Sequence, residues 1–530
     1  MKDYRPISHE PYKGTFGSHE LKHLLKRSLF GITKQQLTGF KNKSLEEVVN
    51  TLLTPDKAPE PPLNHYQNVV ADGQGVPYGE TWVNAPNDVG GSNARRVQSI
   101  KSWWIQNMHF QNTSVHEKMV LFWHNHFATE LSVYKDPRKA YIYYQTMHEH
   151  ALGNFKDLVK AITLDPAMLI YLNGTRNTKN APDENYAREL QELFTIGKGP
   201  DSKYTESDVR EAARILTGFR ARNEPPESYF QASQHDEGDK TFSEFYNNTV
   251  IRGRSGADGA NELDELLQML FEQQEVSKFI VRKLYTFFVY YDITPAIEQN
   301  IIKPLAEIFR AENYEISPVL KALLSSDHFF DPELKGAYIK SPFEYVIGST
   351  IMFKASWPNK EKNLLEFYLL ANDLNNVTES CDQSITNPPN VAGWPAYYQS
   401  PAFYQIWINT NTISKRSEFT DKLLKTGLKR SGKSLSIEPV EFVKDFDEPE
   451  NPDKLIDEMV FLLFQLDIAD SLKKQLKTEV LLEGQSTDYY WTEQWQEYLQ
   501  SPTSNNKGMV NAKLKSLLHF LTALPEYQLI

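Results

Sequence analysis

The sequence predicts a mainly α protein: a large multi-helix globular fold with long irregular loops and room for a short β-hairpin. Apolar residues recur at helical spacing over most of the 530 positions. Hydroxyl and carboxyl caps with glycine stops bracket those runs, and alternating strand-like runs are rare. With 40% hydrophobic and 24% charged residues, the chain can bury a sizeable core.

Taken in order, "SHELKHLLKRSLFG" offers Ser18 as a cap, sets Leu21, Leu24, Leu25 and Leu29 in an apolar stripe and stops at Gly31. Residues 59–93 carry Pro, Gly and Asn without a period, the pattern of a long loop that is functional or mobile. Helix resumes from Arg95 to Met108. "SVHE" reads as a capping box in which Glu117 answers Ser114, and its helix runs through "KMVLFWHNHFA". Helices fit 137–152 and 154–164, then Asp183 to Gly197, with Gly197 suited to the left-handed position after the last turn. "YTESDVREAARILTGF" is capped by Thr205 with Asp208 in the reciprocal place. Residues 220–259 are irregular and hold the expected hairpin.

Helical patterns return in "ANELDELLQMLFEQ", "VSKFIVRKLYTFFVYY", "AIEQNIIKPLAEIFRA" and "ISPVLKALLSS". "NPPNVAGWP", 387–395, cannot be helix interior, because its prolines and glycine break any period. The expected organisation is a main helical domain over 1–430, a linker or surface excursion over 431–453, and a C-terminal helical segment over 454–530 packed on the main domain.

A formal net charge of -12, with no acidic block, argues against nucleic acid as the main partner. The single cysteine, Cys381, excludes an intrachain disulfide and a thiolate metal cluster. The N-terminus has no apolar run of signal-peptide length, and nowhere do about 18 apolar residues run uninterrupted, so no transmembrane segment is expected. A cytoplasmic location is the default expectation, with the envelope as the alternative if a leader was removed.

Four polar clusters stand out. In "LFWHNHFAT", His124 and His126 flank Asn125 in a helix that is apolar on nearly every side, hence buried. At about 100° per residue the two imidazoles point to nearly opposite faces, so they share a metal only if the helix loosens near Asn125. They read equally as hydrogen-bonded core residues. In "ENYARELQE", Glu184, Arg188 and Glu192 share one helical face with Asn185 and Glu189 beside it. This is either a solvated ion-pair face or a set of carboxylates with divergent pKa values, suited to acid–base work or metal ligation. "QHDEGDKTF" puts His235 and Asp236 in a loop. "NPPNVAGWP" offers Asn390 and Trp394 as substrate-binding residues, or is a packed turn. Phosphate loops, a nucleophile elbow and a His-Glu-x-x-His helix are absent from the sequence; "MHEH", at His148 and His150, lacks the required spacing.

These segments resemble, in order, the bacterial domain of unknown function 1800 family. The resemblance is carried by "HLLKRSLFG", "EKMVLFWHNHFAT", "LGNFKDLVKAITLDPAMLIYLNG", "ENYARELQELFTIG", "YTESDVREAARILTGF", "HDEGDKTF", "IKSPFEYVIG", "NPPNVAGWP" and "LPEYQLI". It implies a predominantly helical protein and no assigned activity. It also implies a partner encoded alongside, a protein related to the sulfatase and alkaline phosphatase superfamily. Relatives often read Asn-Glu-Asn-x-x-Arg-Glu-Leu-Leu-Glu where this chain has Asp183 and Gln191; Glu184, Asn185, Arg188, Glu189 and Glu192 match. The resulting expectation is a metal-assisted hydrolase. His124, His126, Glu189 and Glu192 are its candidate ligands or bases for Zn, Mn or Fe, Arg188 orients the substrate and His235 closes the site. The alternatives are a non-catalytic binding or scaffold protein, and a metal-free acid–base enzyme acting on glycans.

Overall fold

Helices account for most of the chain in the computed structural model, which describes residues 7–67, 69–87 and 91–530. Among these residues the strands form only two-stranded antiparallel ladders. Phe219–Asn223 pairs with Pro226–Phe230, Lys240–Thr241 with Val250–Ile251, and Leu428–Arg430 with Lys433–Leu435. The first two are the hairpin content expected between 220 and 259. No described helix is long and apolar enough to cross a membrane.

The helix His116–His126 lies at the centre, with all of its residues buried, as its all-round apolar pattern requires. Buried cations knit helix ends to this core. From helix Ser18–Ser28, Lys22 Nζ donates to Phe464 O at 2.9 Å, Lys26 Nζ to Leu463 O at 3.0 Å and Arg27 Nε to Phe288 O at 2.8 Å. Those carbonyls close helices Pro452–Leu463 and Gln274–Phe288, where the axial dipole favours positive charge. Lys118 pairs with Glu344 at 2.7 Å inside the core. Gly31 meets helix Pro342–Met352 so closely that a Cβ there would lie 2.8 Å from Gly348 Cα.

Local signals and observed boundaries agree where both ends of a capping interaction are local. Thr205 and Asp208 form the expected box on helix Glu206–Ile215, and Asn154 caps Phe155–Thr163. Elsewhere the tertiary structure prevails. Gly17, not Ser18, caps the first helix, with Glu20 reaching back to the Gly17 amide. Ser114 does not form its box: its hydroxyl serves Leu52 O and Thr54 O, and the helix starts at His116.

The helix expected from Asp183 to Gly197 is α only over Asn185–Glu189 and widens into a π-turn over Leu190–Thr195. The long 59–93 stretch is a packed layer where described; residues 68 and 88–90 lie outside the described residues. Within it, Asp72 forms a buried ion pair with Arg96 at 2.8 Å and accepts from Tyr66 Oη at 2.7 Å. Residues 434–453 carry the helix Pro439–Val443, with Ile437, Val440, Phe442, Val443 and Phe446 buried. The chain terminus returns to the core, Ile530 N donating to Tyr338 O at 2.8 Å and Tyr527 Oη lying 2.7 Å from Ser349 Oγ.

Candidate functional site

The three polar residues of "HNH" leave the central helix in three directions. His124 sits between Trp104 and Trp394, at ring-centroid separations of 4.9 and 5.5 Å. Tyr143 gives its hydrogen to Phe127 O, so His124 Nδ1 donates to Tyr143 Oη, at 3.3 Å. Asn125 Oδ1 accepts from Trp394 N at 2.9 Å, docking "NPPNVAGWP". A Cβ on Gly393 would fall 2.3 Å from that oxygen, and Gly393 has φ of +88°, so only glycine fits there. His126 Nε2 donates to Phe194 O at 3.0 Å, leaving Nδ1 to accept from Lys283 Nζ at 3.0 Å. The π-turn frees the carbonyls of Leu193 and Phe194 for these outside donors. Burial pushes His124 down to about 3. Burial and then Lys283 hold His126 well below the ordinary imidazole range.

The expected metal set therefore does not come together. His124 and His126 point apart, as a continuous helix dictates, and both nitrogens of His126 are engaged by protein groups. Among the described residues no group of three or more His, Cys, Asp and Glu side chains is placed to hold a metal ion.

On the second cluster, Arg188 binds Glu206 at 2.7 Å and Glu184 at 3.0 Å, with Glu192 3.7 Å away, and Lys198 caps Glu192 at 2.5 Å. The guanidinium expected to hold a substrate is occupied by Glu206, on the next helix. Asn185 N donates to Asp183 Oδ1 at 2.9 Å. Glu189 is half-buried, and burial followed by the neighbouring Glu192 raises its carboxyl above the ordinary range.

His235 is buried, with Nε2 donating to Glu262 Oε1 at 3.1 Å, while Asp236 receives both arms of Arg214 at 2.8 and 3.0 Å. Lys240 completes this cluster on Glu262 Oε2 at 2.5 Å. These groups pin the loop to helix Glu262–Phe271. Asn390 Nδ2 donates to Tyr398 Oη at 2.8 Å within its own loop, and Trp394 is fully buried against His124.

Sequence reasoning missed a different convergence. A cavity of about 430 Å³ opens where the first turn of His116–His126 meets three other helices: Gly91–His109, Pro137–His150 and Leu364–Ser380. Trp103, Gln106, Asn107, Glu117, His148 and Phe367 line it, with Asp56 and Glu60 at one side and Lys57 and Lys360 at its rim.

Glu117, 4% exposed, is its chemical centre. Tyr144 Oη donates to Glu117 Oε1 and itself accepts from Asn107 Nδ2 at 3.2 Å. Glu117 Oε2 is buried and has no hydrogen-bond partner. Burial, opposed by the Tyr144 bond and reinforced by the charge of Asp56, pushes the carboxyl up to about 8. The acid thus keeps its proton at neutral pH. Because Oε1 already accepts from Tyr144, Oε2 is left to carry that proton, and in this structure Oε2 is closed to solvent.

His148 Nε2 lies 3.9 Å from Glu117 Oε1, and burial followed by His116 pushes its pKa down to about 3, so the ring stays neutral. His116 Nδ1 accepts from Asp56 N at 3.0 Å, which leaves Nε2 to donate to His148 O at 2.8 Å. That bridge fixes both walls. Other cavities differ in kind: one of about 500 Å³ is lined by Lys473 and Lys477, each paired with surface aspartates.

A family model described as Protein of unknown function (DUF1800) matches residues 23–529, and the chain belongs to that family. No curated protein and no solved structure matches it.

Proposed function

We propose that the Glu117 cavity is the active site of a hydrolase that uses general acid–base catalysis by its own side chains. The observation that carries this reading is a buried carboxyl group on a residue that lines a substrate-sized cavity, one oxygen held by Tyr144 and the other without a partner; burial raises its pKa to about 8. A turn of the side chain brings Oε2 to the cavity, and Glu117 gives its proton to the leaving oxygen as the scissile C–O bond breaks. Water adds to the carbon, and Asp56 takes the proton that water loses. The products are two hydroxyl compounds, and proton exchange with solvent restores both carboxyl groups.

His148 and Trp103 exclude water from Glu117, which keeps its affinity for the proton high. The reading needs no metal. Within it, the sulfatase- and alkaline-phosphatase-related companion implied by the family resemblance is a partner acting on the same material.

Turnover of a panel of alkyl glycosides and alkyl esters, whose leaving oxygens need a proton to depart, tests the reading. A positioned general acid contributes about 10²- to 10⁴-fold. Glu117→Gln is expected to lose about that much rate while melting cooperatively, and wild-type kcat is expected to fall as pH rises past about 8. Full turnover by Glu117→Gln would remove Glu117 from the chemistry.

A further inference from the structure

We infer that the cavity takes a short stretch of an uncharged glycan; this rests on the acid–base reading for the bond that is cut, but not for what is bound. Three features of the lining point to a neutral, hydroxyl-rich ligand.

The first is a concentration of amides. Gln106, Asn107, Gln111 and Asn112 all face the cavity, and each carboxamide both donates and accepts, as a sugar hydroxyl does. Asn107 and Asn112 each commit one Nδ2 hydrogen to the protein, to Tyr144 Oη and Asp56 Oδ1. Gln106 is 4% exposed, yet neither its Nε2 nor its Oε1 has a partner, and Gln111 Oε1 has none either. Buried amide atoms are rarely left unpaired; these three are closed to solvent in this structure, and a ligand rich in hydroxyls satisfies them once the Gln106 and Gln111 side chains turn toward the cavity. An apolar ligand would leave them stranded.

The second is an aromatic platform. Phe110 is 53% exposed at the cavity mouth and lies nearly parallel to Phe367, at 5.7 Å and 20°, with Trp357 5.5 Å away. Trp103 lines the interior, its indole N–H committed to Glu60 O at 2.6 Å, so it presents carbon rather than a donor. Flat apolar faces beside amides suit a pyranose, whose C–H face stacks while its hydroxyls reach sideways.

The third is charge. The rim lysines Lys57 and Lys360 are balanced by Asp56 and Glu60, and Glu117 and His148 are neutral at pH 7. No excess of positive charge is present to select a phosphate, sulfate or carboxylate group.

The test is calorimetric titration of the full-length Glu117→Gln protein with cellohexaose, chitohexaose, mannohexaose and xylohexaose. Hexagalacturonate and an uncharged decapeptide serve as the other arms. The expected result is saturable binding of at least one neutral hexasaccharide. That binding should weaken five- to tenfold in an added Phe110→Ala, whose ring is exposed, and again in Gln106→Leu. Hexagalacturonate and the peptide should not bind.

The inference is overturned if no neutral hexasaccharide binds, or if hexagalacturonate or the peptide binds more tightly. Turnover separates it from the catalytic reading. Glu117-dependent ester cleavage without sugar binding sinks the glycan and keeps the acid. Sugar binding by a wild-type protein that cleaves nothing sinks the acid and keeps the glycan.

Discussion

Glu117 and Glu262 are both buried carboxylates on helices, each beside a histidine, and the protein treats them in opposite ways. Glu262, 0% exposed, accepts from His235 Nε2 at 3.1 Å, Lys240 Nζ at 2.5 Å and Arg254 N at 2.7 Å. Burial alone would raise it, but the bonds from His235 and Lys240 outweigh burial and hold it below the ordinary carboxylate range. Glu117 has one donor, Tyr144, and burial with the charge of Asp56 carries it up to about 8. Every donor missing at Glu117 is a donor present at Glu262. The loop cluster uses its polarity to hold a hairpin; the cavity leaves its acid with a raised pKa and one oxygen without a partner. Ion pairs thus mark the scaffold here, and their absence marks the position proposed as the acid.

The sharpest way to break this contrast is Glu262→Ala. It strands the fully buried Lys240 ammonium, and removing one partner of a buried pair costs about 3–5 kcal/mol. Urea unfolding should show a loss of that size, and an unchanged midpoint would mean that the cluster is not structural.

Next in size is the pH dependence of stability. Glu117 has its folded-state pKa raised from 4.5 to about 8, so the native state binds more protons than the unfolded chain between those values. Its contribution is fully present below about 4.5 and is lost as pH rises through about 8. Melting temperature should therefore decline from pH 5 to pH 8 in the wild type, and Glu117→Gln should decline less. Parallel curves would contradict the raised pKa.

Smaller still is Tyr144→Phe. The Tyr144 bond favours the ionised acid, so removing it should move the alkaline limb of kcat to higher pH with modest loss of rate. A shift to lower pH would reverse the assigned role of the tyrosine.

The same contrast explains what could be read from sequence. "HDEGDKTF" announces polar residues in a loop, but its key partner, Glu262, lies in a helix some two dozen residues on and carries no local mark. "SVHE" fits a capping box. The fit fails because Leu52 O and Thr54 O claim the Ser114 hydroxyl, and a tyrosine on another helix claims the Glu117 carboxyl. One available signal was overlooked. Glu117 is a carboxylate at the start of a helix that is apolar all round, so it is buried by its neighbours' pattern alone. In "ENYARELQE" the spacing correctly set Glu184, Arg188 and Glu192 on one face. What remained hidden was Glu206, which turns that face into surface ion pairs.

The sequence by itself determined most of the helices, the Thr205 cap, the loop character of "NPPNVAGWP" and the burial of "HNH". These depend on spacing and on neighbours within a turn or two. Tertiary structure alone decided which buried polar groups were satisfied and which were left without a partner, because a hydrogen-bond partner is set by distance in space. Between Tyr144 and Glu117, or Glu262 and His235, that distance is closed only when whole helices pack.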